Sequence, residues 1–169
     1  PNYVPNDEVA AYYRRRAEGE VGLIITEGTF VGHEGANGYE NVPAIYGEQA
    51  LAGWKKVVDA VHAEGGKIVP QLWHVGNVRK LGTEPDGDVP AYGPMEKIKD
   101  GKEIVHGMTQ ADIDETVAAF AQAAADAKAI GMDGVEIHGA HGYLVDQFFW
   151  EGSNQRTDGY GGSLANRSR

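Results

Sequence analysis

Along this chain the spacing of apolar residues alternates between helical periodicity and short continuous runs. Asn6-Asp7 can cap a helix running through Glu18, with Tyr12, Tyr13 and Ala17 on one side and Gly19 at its end. The stretch VGLIITEG is rich in β-branched residues and bounded by glycines, which predicts a buried parallel strand over residues 22–26 and a loop over 28–46. Leu51, Trp54, Val58 and Val61 recur at the spacing of one helix face, and Gly65-Gly66 stop that helix. KIVPQLW is the next strand, over 67–72, where Pro70 lacks a ladder donor and so predicts a bulge or an early end.

Residues 73–108 carry prolines and glycines with little periodicity, too long for an ordinary connection. Within them EKIKDGKEIVH reads as a hairpin turning at Asp100-Gly101. Thr109 and Asp112 resemble a capping pair, and Ile113, Val117, Phe120, Ala124 and Ala127 line a helix ending at Gly131. DGVEIHG is a third strand, followed by a short helix over 143–149, the polar loop GSNQRTDGYGG and a further helix start in SLANRSR. This alternation implies parallel strands with right-handed crossovers, hence an α/β sheet or barrel. No strand is followed by G-x-G-x-x-G, which favours a (β/α) barrel over a doubly wound sheet. About three parallel strands, their helices and one hairpin excursion are expected.

Composition narrows the partners. A chain of 169 residues is one domain by length, and no stretch is apolar and long enough to cross a bilayer. A formal charge of -10 opposes nucleic acid and anionic lipid, so the expected partner is a small molecule, with a homo-oligomer left open. The absence of cysteine removes disulfides and thiol nucleophiles and fits a reducing, cytoplasmic compartment.

Ligands of such folds gather at the carboxyl ends of the strands. Those ends carry Thr26-Glu27-Gly28, Gln71 to His74, and His138 to Tyr143. His138 and His141 are three apart, and three readings stay open for them: a metal pair, buried structural histidines, or hydrogen-bond donors to a substrate. Tyr143 can deliver a proton beside them or simply pack beneath the loop. Gln71 ends a strand with an amide that both donates and accepts, suited to the edge of a planar heterocycle, and Trp73 points to the same side. Arg156 and Asp158 are expected to form a local salt link.

Taken in order, GLIITEGT, GYENVPAIYG, GWKKVVDAVHAEGGKIVPQLWHVG and GMDGVEIHGAHGYLVDQFFWEGSNQRTDGYGGSLANRSR resemble the old yellow enzyme family of FMN-dependent NAD(P)H oxidoreductases, or ene-reductases. The resemblance implies an eight-stranded (β/α) TIM barrel holding FMN at its carboxyl mouth, with NAD(P)H as reductant. On this sequence it implies that Gly28 and Gln71 contact the flavin, with His138 beside it. His138 and His141 would hold an activated carbonyl or nitro oxygen, Tyr143 would donate the proton, and Trp73 would shape the substrate pocket. It implies no metal. The sequence departs from the family at Asn77, often arginine after HVG, and at Gly159, often a charged residue. His141 is asparagine in some members. The resemblance begins after the family's first strand and ends before its fifth, so residues 1–169 are expected to be a partial FMN-binding barrel domain within a longer protein. The rival reading of the isolated chain is an incomplete barrel that holds no flavin and does no catalysis.

Overall fold

The computed structural model describes residues 3–84 and 86–169. Its elements run α1 (Asp7–Glu18), β1 (Ile24–Phe30), α2 (Glu48–Ala63), β2 (Ile68–Trp73), a one-turn 3-10 helix (Gly76–Val78), β3 (Ala91–Gly93), β4 (Lys97–Lys99), β5 (Lys102–Gly107), α3 (Gln110–Ala129), β6 (Glu136–Ile137), α4 (Leu144–Phe149) and α5 (Leu164–Arg167). The chain divides into two units. One holds the segments ending at Gly32 and spanning Asn41–Trp73 and Ala118–Ile137; the other holds His33–Glu40, His74–Val117 and His138–Arg169.

The first unit is a parallel sheet ordered β1-β2-β6 with helices packed on it. Its core joins Trp54, Val57, Val58 and Val61 of α2 to Ile68 and Leu72 of β2 and to Tyr13 and Ala17 of α1. The Trp54 ring nitrogen donates to the Ala44 carbonyl at 2.9 Å, so the largest buried side chain leaves no polar atom unmet. The segment leading into α1 packs closely on α2 because residue 53 is glycine; a Cβ there would stand 2.5 Å from the Pro5 carbonyl oxygen.

Pro70 does bend the ladder, but the irregularity lies on the opposite strand. Ile25 pairs with Val69 and Gly28 with Gln71, so β1 advances one residue more than β2 across the proline. The Thr26 hydroxyl accepts the Gln71 N–H at 3.0 Å, a bond that a main-chain carbonyl would otherwise make. This bulge carries β1 on to Phe30, four residues past the end expected from its apolar run, and puts Gly28 inside the strand instead of in the following loop. The strand is also less enclosed than the run suggested, for Ile25 keeps 49% of its surface exposed.

At the other end of the sheet, Asp133 ties three elements together. It accepts the Ile68 N–H at 2.9 Å and meets His62 at 2.8 Å and Lys67 at 3.1 Å. Burial alone would raise its pKa; the His62 hydrogen bond, then the Ile68 amide and Lys67, outweigh this and hold it at about 2. A depressed carboxyl stabilises the fold above its unfolded pKa of about 3.9 and ceases to do so as pH falls through the folded value. Asp133→Asn is therefore expected to lower stability at neutral pH by about 1–2 kcal/mol, with the gap from wild type closing between about pH 4 and pH 2. Urea unfolding as a function of pH checks both the loss and its closure.

The second unit holds the sheet β3-β5-β4. Strands β4 and β5 are the expected hairpin, and both turn residues have positive φ, Asp100 at 52° and Gly101 at 75°, the hand that suits a two-residue hairpin turn. Strand β3, parallel to β5, went unforeseen because three residues carry no period. Helix α3 buries Ile113, Thr116, Ala123 and Ala127, not Val117, which is exposed. The Thr116 hydroxyl donates to the Asp112 carbonyl at 2.8 Å, and with its polar atom satisfied it takes the inward position that a hydrophobicity pattern assigns to valine. Arg156 and Asp158 make the expected salt link, and Arg156 also donates to the Pro94 and Met108 carbonyls, anchoring the polar loop. Among the described residues no helix is long and apolar enough to cross a membrane.

Candidate active site

In the first unit, Gly28, Gln71 and Glu136 are successive partners across the three parallel strands, and so share one face of the sheet. Sequence alone left the direction of Glu136 to register; the register sets it beside Gln71, whose Nε2 donates to Glu136 Oε2 at 2.9 Å. That bond fixes which end of the amide is donor and leaves Oε1 an acceptor. Gly28 is required by packing, since a Cβ would fall 2.6 Å from the Trp73 ring. Trp73 itself is 8% exposed.

In the second unit, the turn after β6 gathers the remaining three residues. The His138 and His141 rings lie 5.3 Å apart and edge-to-face, and the Tyr143 ring is 5.1 Å from His138. His141 has φ 60° and Gly142 φ 74°, two left-handed residues in succession that reverse the chain and bring both imidazoles together. The turn is held from below. Buried Gln147 donates to the Gly142 carbonyl at 2.6 Å and to Val75 at 3.2 Å, and accepts the Asn77 N–H at 3.0 Å; Asp146 accepts the Gly142 N–H at 2.8 Å. His138 Nδ1 accepts the Ala140 N–H at 3.4 Å, which leaves the proton of the neutral ring on Nε2. His138 thereby presents a donor. Among the described residues no group of three or more His, Cys, Asp or Glu is arranged to hold a metal ion.

The sequence reading missed Tyr39. Its hydroxyl lies 3.1 Å from that of Tyr143, and their rings meet edge-to-face at 6.5 Å. The Tyr39 hydrogen bond, followed by partial burial, pushes the Tyr143 pKa up to about 12, so Tyr143 keeps its proton throughout the neutral range. Nothing in the local pattern marks Tyr39, which is 104 residues from its partner. Tyr39→Phe is expected to bring Tyr143 ionisation down toward the ordinary value of about 10. A 13C NMR titration of protein labelled at tyrosine Cζ reads this directly, and an unmoved curve would show that the hydroxyl contact does not control it.

The profile of the NADH:flavin oxidoreductase / NADH oxidase family matches residues 1–169. The chain belongs to that family. This bears out the likeness to old yellow enzymes carried by the motifs. The chain is 43% identical over 178 residues to 12-oxophytodienoate reductase 7 of Oryza sativa subsp. japonica, covering 98% of this chain and 45% of that protein. It is equally 43% identical over 169 residues to the NADP-dependent oxidoreductase lnbE of Aspergillus flavus, covering 99% and 45%. The structure of morphinone reductase in complex with tetrahydroNAD overlays on it with a TM-score of 0.88 at 39% identity, over 99% of this chain and 49% of that one. The chain thus spans about half the length of the curated relatives it matches. Its helices and parallel strands are part of the family's (β/α) barrel fold.

Proposed function

We propose that these 169 residues belong to a longer FMN-dependent oxidoreductase that uses NAD(P)H to reduce activated C=C bonds of α,β-unsaturated carbonyl compounds, and that they carry its substrate-side residues. The observation that carries this reading is the clustering of two imidazoles and a protonated phenol on one turn. The share of the relatives' length covered supports the longer protein, as do Leu23, Ile25, Val135 and Ile137, large apolar side chains that stay 41–55% exposed. A lack of cysteine supports a cytoplasmic setting.

The residues present suit a flavin. Gln71, with its amide oriented by Glu136, offers an acceptor and a donor group of the kind that a pyrimidine edge requires, and Gly28 contributes bare backbone on the same sheet face. Trp73, packed against Gly28, would stiffen the wall of the substrate pocket. FMN, when bound, would supply the hydride chemistry between NAD(P)H and the β-carbon of the enone. The protein's share is polar. His138 and His141 donate to the carbonyl oxygen and stabilise the negative charge that develops there, as fixed dipoles do in an oxyanion hole. Tyr143, protonated at neutral pH, gives its proton to the α-carbon, and the resulting phenolate recovers one from water.

The test is flavin-dependent oxidation of NADPH or NADH by the intact protein with cyclohexenone. Turnover with yellow protein supports the reading; a colourless protein after FMN addition and desalting, or no enone-dependent turnover, rejects it.

A further inference from the structure

Two residues after Asn77 the chain carries a buried arginine. Arg79 follows the one-turn helix Gly76–Val78 and is 3% exposed. Among the described residues its guanidinium donates to four main-chain carbonyls: Asn37 from Nη1 at 2.5 Å, Thr83 and Asp86 from Nη2 at 2.9 and 2.6 Å, and Val89 from Nε at 3.3 Å. One buried cation therefore joins the loop after β1 to the connection that leads into β3.

Asn37 extends that junction. It is 2% exposed, its Nδ2 donates to the Glu84 carbonyl at 3.3 Å, and its Oδ1 accepts the Tyr39 N–H at 3.1 Å. Between them, Gly38 lies so close to Val75 that a Cβ would fall 2.8 Å from Val75 Cγ2, so a side chain there would have to displace Val75. Tyr39 leaves this turn with its hydroxyl on Tyr143. A continuous chain of contacts thus runs from Arg79 through Asn37 and Tyr39 to Tyr143, all within the second unit.

We propose that Arg79, acting through Asn37, is a positioning residue for Tyr143: it holds the turn from which the Tyr39 hydroxyl meets that of Tyr143, and so ties the carbonyls of Thr83, Asp86 and Val89 to the proton donor. The physical reason is geometric. A planar guanidinium with five donors in fixed directions can satisfy four carbonyls at once and sets their mutual spacing. A lysine keeps the charge but is a single point with three rotatable donors, and leaves buried carbonyls unmet. The inference rests on Tyr143 being the proton donor.

The experiment uses the intact flavoprotein carrying Arg79→Lys, with Tyr39→Phe as benchmark and tyrosine labelled with 13C at Cζ. Arg79→Lys is expected to lower the Tyr143 ionisation midpoint by about 1 pH unit or more toward the ordinary value, in the direction of Tyr39→Phe. It should also slow reoxidation of the reduced flavin by cyclohexenone about tenfold, the scale of a misplaced reacting group, with reduction by NAD(P)H within about twofold of wild type. A Tyr143 titration unmoved in folded Arg79→Lys overturns the proposal. Should that variant fail to fold, Asn37→Ser makes the same comparison with the guanidinium and its carbonyls in place, and an unmoved titration there overturns it equally. If Tyr143→Phe reoxidises at the wild-type rate, the donor role fails and the catalytic half of the proposal with it, while the titration still decides whether Arg79 governs the hydroxyl contact.

Discussion

Replacing Tyr143 by phenylalanine is expected to slow reoxidation of the reduced flavin by cyclohexenone at least about 100-fold, with reduction by NAD(P)H changed by no more than about twofold. The asymmetry follows from the role proposed for the phenol. Hydride leaves NAD(P)H without a proton from the protein, whereas reduction of the enone is complete only when the α-carbon is protonated. A phenol with its pKa at about 12 stays fully protonated at neutral pH, so the proposed donor is loaded. A phenylalanine fills the same space, keeping the edge-to-face contacts with His138 and Tyr39, and removes the hydroxyl with its proton and its hydrogen bond to Tyr39. Stopped-flow absorbance in the flavin band separates the two half-reactions. Equal losses in both would assign Tyr143 to packing or flavin binding instead of proton transfer.

What was legible in the sequence was local. Helices α1 and α2 and the β4-β5 hairpin follow from periodicity, caps and the Asp-Gly turn, because their determinants lie within a few residues of one another. His138, His141 and Tyr143 could be picked out for the same reason: a six-residue stretch after a strand carries them all. What stayed hidden depends on partners far along the chain. The extension of β1 past Thr26 needs Pro70 across the ladder, since the bulge forms where the proline has no N–H to give. The inward turn of Thr116 needs a hydroxyl bonded within its own helix, which hydrophobicity scales count as polar. Tyr39 and Arg79 owe their places to contacts that no window reveals. Gly28 could be marked as special, but packing against Trp73 supplies a reason for the glycine that the motif alone did not.

The paired histidines call for a substitution that removes the donor without disturbing the turn. His141 sits at φ 60°, and alanine there adds a backbone cost of about 1 kcal/mol to the loss of the imidazole. Asparagine tolerates that conformation and still donates, so His141→Asn is expected to keep kcat/KM for cyclohexenone within about tenfold of wild type. His138→Ala has no such substitute. Its Nε2 proton, fixed by the Ala140 amide on the other nitrogen, is lost outright, and kcat/KM should fall about 10²–10³-fold, as when one donor of an oxyanion hole is deleted. The ordering of the two variants carries the argument, because a structural pair of histidines predicts similar losses of stability and no preference for a donor. A metal pair predicts the opposite order of tolerance, since an amide replaces imidazole poorly as a zinc ligand, together with stoichiometric zinc by elemental analysis. Activity in His141→Asn with metal-free protein leaves hydrogen bonding to the substrate oxygen as the role of both rings.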